Sequence, residues 1–396
     1  MASRRSIHRT STVSLLKQQR RGTNVPRKKS VMEDMSMYHP SSTTTRDSVG
    51  HLDVSRRLSW LEKVRRRSVV LGTKGRVIME ARFSPDYRGI YSTRFSPDGE
   101  SFVTAYGAGA IQVWHLDTEQ HNINVRSAPD HGFPIMCIRF PRNQDATNFF
   151  AAGACGTLFW CGMRAGDYHD FAREEPNEIN SVDVNSSETV ATGGKDAAIR
   201  LYDINTKQLK GKFSRDDLLL KSEEEDMKFH KMRIFSVRFH PTMNEVLISG
   251  GWDDSVKIWD LREKDGCVRD IRGPHICGDA LDIRDKVVLT GSWAVENSLQ
   301  TWDLRNASLI ENINPVNRPK TIDGEFLYCC QFFNGDSLGN TVIVGGSGLG
   351  SVEVIDIPEK KIMSSYRVHK TIQAIDSTDR YVVFGGMEST FRIATV

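Results

Sequence analysis

Three side chains near the middle of the chain are of the types that hydrolases use: His230, Ser249 and Asp253. A serine nucleophile, an imidazole base and a carboxylate to orient it would serve acyl transfer if folding brought them within hydrogen-bond reach. No GxSxG elbow accompanies them, and the chain has no HExxH helix and no P-loop. The run GGSGLG at 345–350 has the glycine content of a phosphate loop. It stands between two strand-like segments, however, with no helix after it to present backbone N–H groups, so it reads as a tight turn. His275 and Cys277 form an isolated pair without the further ligands that zinc needs. The vicinal Cys329 and Cys330 invite a redox reading, but both fall inside a strand-like segment, where reduced core thiols are the simpler account. No metal or cofactor site and no catalysis are expected.

The elements that carry these residues repeat. Stretches 91–117, 135–162, 179–204, 234–262, 278–305, 327–357 and 372–396 each contain an alternating strand, a polar turn, an apolar strand, a Gly-rich turn and a third alternating strand. Segments such as SVRF, EVLISGG and SVKIWD show the period of two that half-buried strands require. A unit recurring every roughly 40–55 residues is the signature of a repeat architecture.

One unit, LISGGWDDSVKIWDLR, resembles the WD-repeat signature almost completely; WDL recurs at 302–304, with degenerate forms WHL at 114–116 and YDI at 202–204. The resemblance to the WD-repeat β-propeller family covers about 320 residues. It implies an all-β, seven-bladed propeller of four-stranded blades around a channel, occupying 75–396. FRIATV ends the chain as a third strand, so RVIMEARF (76–83) is expected to add the missing strand and close the ring, leaving no unpaired edge. The resemblance also turns His230, Ser249, Asp253 and Trp259 into a buried hydrogen-bonded tetrad that locks blade 4, rather than a triad. His131 holds the matching place in blade 2, but its partner positions are Cys155 and Cys161. Since the tetrad fails in most other blades, those are expected to rely mainly on apolar packing.

Two surfaces follow from the same resemblance. The residue before the turn aspartate points onto one rim in such propellers, which selects Trp252, Trp293 and Lys195 as partner-binding residues, the two tryptophans being of the type that dominates binding energy. Packing against the adjoining blade is the alternative for the tryptophans. The repeated WDLR, at Trp259-Asp260-Leu261-Arg262 and Trp302-Asp303-Leu304-Arg305, resembles the WD-x-Arg box of substrate receptors that dock on the propeller adaptor of cullin-4 ubiquitin ligases. The arginine would offer a planar fork to a partner; bridging to its own blade is the other reading.

Composition sets the remaining bounds. With 39% hydrophobic and 26% charged residues the chain can bury a core, and no apolar run approaches a membrane span or a secretory signal. Residues 1–75 hold 17 Lys and Arg against 5 Asp and Glu, a net of +12, which leaves −9 on the rest of a chain whose total is +3. Residues 1–50 read as a disordered basic tail, and 51–74 as a linker containing a basic amphipathic helix, with Val54, Leu58 and Leu61 at helical spacing. RKKS, RRLS and RRRS make Ser30, Ser59 and Ser68 candidate phosphosites. PRKK at 26–29 could serve as a nuclear address, while the acid-free first 32 residues also fit a mitochondrial presequence, the less favoured reading. Two loops break the rhythm: an acidic insertion at 211–230, read as a partner-binding segment or a solvated loop, and the connector REEPNE at 173–178.

The function expected from all this is a non-catalytic scaffold or adaptor, a phosphoprotein of the cytoplasm with the nucleus as its second location, that binds proteins at its rim and uses its arm as tether or switch. The alternatives are a ubiquitin-ligase substrate receptor and a structural component of a microtubule or ciliary assembly, where the arm would meet an acidic filament. The acidic body and the lack of interleaved aromatics in the arm argue against specific nucleic-acid binding.

Overall fold

Apolar residues at every second position, bounded by Gly, Asp and Ser turns, become antiparallel strands throughout. The computed structural model describes residues 75–116, 122–142, 147–215, 227–263, 266–319 and 323–396. The basic arm, its helix, Ser30, Ser59, Ser68 and the acidic run 216–226 lie outside the described residues. Within them, 28 strands, β1 to β28 in chain order, form seven four-stranded sheets. This is a seven-bladed propeller. The innermost strands of blades 1 to 7 are β2 (Ile90–Phe95), β6 (Ile135–Arg139), β10 (Ile179–Val184), β14 (Ile234–Phe239), β18 (Leu281–Arg284), β22 (Leu327–Phe332) and β26 (Ile372–Ser377).

Blade 7 has the order β1-β28-β27-β26, with β27 spanning Tyr381–Gly386, β1 (Val77–Arg82) antiparallel to β28 (Thr390–Thr395) and Ala81 opposite Phe391. Strands from the two ends of the propeller therefore complete one sheet. Arg392 donates to Glu80 at 2.9 Å across that seam. Beneath it, Ala81, Ile90, Phe102, Trp114 and Phe391 share one core cluster, which joins blade 7 to blade 1. Other core clusters likewise draw on two neighbouring blades, so the apolar core is a series of inter-blade layers. Such layers let a sheet bury both faces, which explains the fully buried runs LISGG and TVIVGG.

Paired glycines set the spacing of these layers. A Cβ on Gly250 would come within 2.8 Å of Ile276 at the entry to the next blade, and one on Gly251 within 2.1 Å of the Arg233 carbonyl. The first glycine admits the neighbouring blade and the second lets the chain close over the connector.

Two expectations change. The insertion does not span 211–230: Leu209–Phe213 is the outer strand of blade 3, and Phe229 is buried against Trp259, their rings 6.2 Å apart. Apolar Phe213 and Phe229, read as loop residues, are core residues of the blade 3–4 layer. The connector 173–178 is likewise more than a loop, because Glu174 is buried.

Candidate interaction faces of the propeller

Blade 4 carries a hydrogen-bonded chain from rim to core. His230 Nδ1 lies 2.8 Å from Asp253 Oδ2, its Nε2 lies 2.7 Å from Ser249 Oγ, and Trp259 Nε1 donates to the same Oγ at 2.8 Å. His230, Ser249 and Trp259 are all buried to within 1%. Burial works against the Asp253 charge, but the bonds from His230, the Lys231 N–H and Ser255 outweigh it and hold the carboxyl below its ordinary range. A serine hydroxyl buried between Trp259 Nε1 and His230 Nε2 is a structural lock. His131 of blade 2 is exposed and left-handed, with φ 57, and Cys161 is buried.

Other blades add buried polar pairs to their apolar layers, with different residue types from those of blade 4. In blade 3 the buried Glu174 accepts from Thr192 Oγ1 at 2.5 Å, Asn177 Nδ2 at 2.9 Å, and Tyr202 OH and Arg200 Nη1 at 3.0 Å each. Burial and the Glu174 charge push the Tyr202 phenol up. In blade 1, Trp114 donates to Thr104 at 2.9 Å, and Tyr106 extends the chain to Gln112 at 2.8 Å. Trp302 donates to Thr290 at 3.0 Å in blade 5. In blade 6, Arg318 grips Glu353 at 2.6 Å and Glu325 at 2.5 Å, and Glu325 takes the Ser298 hydroxyl of blade 5. Sequence matching looked for the same residue types, whereas the fold requires only a paired polar group at each place.

Trp252, Trp293 and Lys195 occupy equivalent positions: their backbone N–H groups donate to Arg233, His275 and Glu178 carbonyls respectively, at 3.1, 2.8 and 2.9 Å. Each of these carbonyls belongs to the connector leading into its own blade. The structure links the three into an arc over blades 3 to 6. Lys195 and Arg233 share Glu178 at 2.6 and 2.8 Å, and Arg233 lies over Trp252, 5.5 Å from the ring centre. Asp254 holds His275 at 2.6 Å, and His275 adjoins Trp293, which packs on Phe326 at 4.7 Å. Both tryptophans are half-buried, and their indole nitrogens are buried without a hydrogen bond in the chain. Each ring thus packs on an adjoining connector while keeping an exposed edge. Arg233, Glu178, His275 and Phe326 were missed in the sequence because they stand in connectors, where the repeat has no fixed pattern.

The WDLR turns lie on the other face. Strand direction alternates within a blade, so the turn after the third strand opens opposite to the turn before it. Arg262 and Arg305 are 71% and 65% exposed, and each folds back as a fork onto the aspartate of its own box, Asp260 or Asp303, with one bond of 2.5 Å. The Arg305 bonds hold Asp303 down at about 2. Of the box residues, Trp259 is buried in the blade 3–4 core and Trp302 nearly so, leaving only the arginines and aspartates displayed.

The remaining candidates are quiet. Cys329 and Cys330 are buried on opposite sides of their strand, one near Gly345 and the other near Gly291, and burial raises both thiols. Cys277 is buried beside Trp252 and pushed up to about 12 by desolvation. GGSGLG is the turn between the second and third strands of blade 6. Among the described residues no cluster of His, Cys, Asp and Glu could hold a metal ion, and no helix is long and apolar enough to cross a membrane.

A family model described as "WD domain, G-beta repeat" matches residues 223–260, which covers most of blade 4. Among curated proteins, the chain is 39% identical over 85 residues to a guanine nucleotide-binding protein subunit beta-like protein of Encephalitozoon cuniculi, covering 21% of this chain and 22% of that one. It is 24% identical over 172 residues to a periodic tryptophan protein 2 homolog of Dictyostelium discoideum, covering 43% and 17%. It is 23% identical over 227 residues to a p21-activated protein kinase-interacting protein 1-like protein of Danio rerio, covering 50% and 57%. The match spans less than two thirds of the length of each of these relatives.

Proposed function

This chain belongs to the WD-repeat β-propeller family, and on that footing we propose that it is a non-catalytic scaffold that holds a protein partner on the face bearing Trp252 and Trp293. The supporting observation is the arc from Lys195 through Glu178, Arg233, Trp252 and His275 to Trp293 and Phe326. It combines aromatic edges with paired charges, the mixture that concentrates energy at protein interfaces. A relative named for interaction with a protein kinase is in keeping with such a role. Seven unpaired cysteines suit a reducing cytoplasm or nucleus. Partners identified by proximity labelling of the full chain are expected to lose affinity roughly 30-fold or more when Trp252→Ala and Trp293→Ala are combined with Lys195→Glu. Unchanged affinity in a variant with the parental circular dichroism would sink the proposal.

A second reading rests on the opposite face. Two arginine forks in identical turns of adjacent blades offer a repeated contact to the adaptor of a cullin-4 ubiquitin ligase. Adaptor that co-purifies with the parental chain and is lost on Arg262→Ala with Arg305→Ala supports it; no adaptor in the parental sample removes it.

A further inference from the structure

The innermost strands place a charged residue at the same position of six blades: Arg94, Arg139, Asp183, Arg238, Asp282 and Asp376, with Gln331 in the remaining one. The aspartates stitch neighbouring blades. Asp183 accepts the Phe239 N–H at 2.7 Å, Asp282 the Phe332 N–H at 2.9 Å, and Asp376 the Phe95 N–H at 2.7 Å across the ring closure. Arg94 and Arg238 make the complementary stitch, donating to Ile375 and Leu281 carbonyls of adjacent blades at 2.6 and 3.0 Å.

Asp279 does not follow that pattern. It stands three residues before Asp282, at the end of the connector into blade 5, and its carboxylate meets arginines from blades 1, 2 and 4. Oδ2 takes the Arg94 Nη2; Oδ1 takes the Arg139 Nη2 at 2.7 Å and faces the Arg238 Nη2 at 3.6 Å. Among the described residues, its carboxylate oxygens accept hydrogen bonds from guanidinium groups only. The arginine side chains are 5 to 13% exposed; Asp376, 3.7 Å from Arg94, and Asp183, 3.6 Å from Arg139, answer part of their charge, and among the described residues Asp279 is the carboxylate that meets all three. Although burial opposes its charge, the three arginines hold Asp279 far below the ordinary carboxylate range.

We propose that the axis of this propeller is an anion-binding site for a carboxylate or small oxyanion, which the chain fills with its own Asp279. Arg94 and Arg139 each give one Nη2 to a different oxygen of the same carboxylate, so two guanidinium groups clamp one anion through charge-assisted bonds. The Asp279 side chain retains 16% exposure, so solvent reaches the site. Filling it from within has two consequences. Acidic side chains of a partner find the axis occupied, and the connector 273–279, which carries His275 and Cys277 beneath the tryptophan arc, is tied down at its inner end.

The test is chemical rescue in the full chain. Asp279→Ala is expected to melt roughly 5–10 °C below the parental protein. Formate or acetate, added at constant ionic strength against chloride, should recover most of that loss in a saturable manner, while leaving the parental melting point unmoved. Asp282→Ala, which loses a backbone stitch instead, should show no such recovery. Equal response of all three proteins to formate, or a parental melting point in Asp279→Ala, overturns the proposal. Should Asp279→Ala not accumulate as folded protein, a cycle of Asp279→Asn with Arg238→Gln decides the matter. The double variant should lose clearly less than the sum of the single losses, and additive losses would count against the shared site.

Discussion

Ser249 in blade 4 and Glu174 in the connector before blade 3 each concentrate several buried polar groups on one side chain. Ser249→Ala strands both His230 Nε2 and Trp259 Nε1 inside the blade. The cost of two buried polar groups left unpaired is about 2–4 kcal/mol, which urea denaturation should read as a lowered midpoint with an unchanged slope. Glu174→Ala leaves Thr192, Tyr202, Asn177 and Arg200 without their common acceptor and should cost at least as much. Tyr202→Phe removes only one of those four bonds, at about 1 kcal/mol, so the two variants together test whether Glu174 is the centre of the network. Only the first of these sites was legible beforehand, because Ser249 belongs to a known residue pattern and Glu174 belongs to none.

At the scale of elements, β1 is a strand whose place is decided by a sheet far from it in the chain. A protein beginning at residue 75 keeps β1, whereas one beginning at residue 83 loses it and exposes the edge of β28. The shorter chain should melt lower by on the order of 5–10 °C and show concentration-dependent association by light scattering, since a bare edge pairs with other chains. Equal melting and a monomeric shorter form would mean that the blade 7–1 core alone closes the ring. The acidic insertion shows the reverse error: Phe229, counted within it from the sequence, is in the blade 3–4 core, and Phe213 packs against that core.

For the whole molecule, charge placement predicts the response to acid. Asp279 and Asp253 have folded-state affinities for protons below their unfolded ones, so their stabilisation is fully present above about pH 4 and is lost as pH falls through the folded values. Asp376 acts in the opposite direction, because burial raises it and protonation then favours the folded state. Glu178, Asp203, Asp260, Asp303, Asp336 and Glu388 are lowered as Asp279 is, and Glu353 is raised as Asp376 is, so the balance is a net loss of stability in acid. Chemical denaturation between pH 7 and 3 should show stability falling below about pH 4, with a shallower fall in Asp279→Asn. The opposed faces make a further prediction. Arg262→Ala with Arg305→Ala should leave capture by the tryptophan face within twofold of the parental value, as independent sites do.

Spacing and residue type by themselves determined the seven repeat units, because each unit carries its own local periodicity; the strand that closes the ring and the tetrad of blade 4 followed from the resemblance that one nearly complete repeat carries. Trp252, Trp293 and Lys195 could be aligned for the same reason. What only the tertiary structure decided is which groups meet across blades: the link from Lys195 to Trp252 through Glu178 and Arg233, the substitute network of Glu174, and the axial site around Asp279. Those contacts join residues up to 185 positions apart. No local pattern encodes such pairs; they arise because seven strands converge on one axis, where burial demands that every charge be answered by whichever blade can reach it.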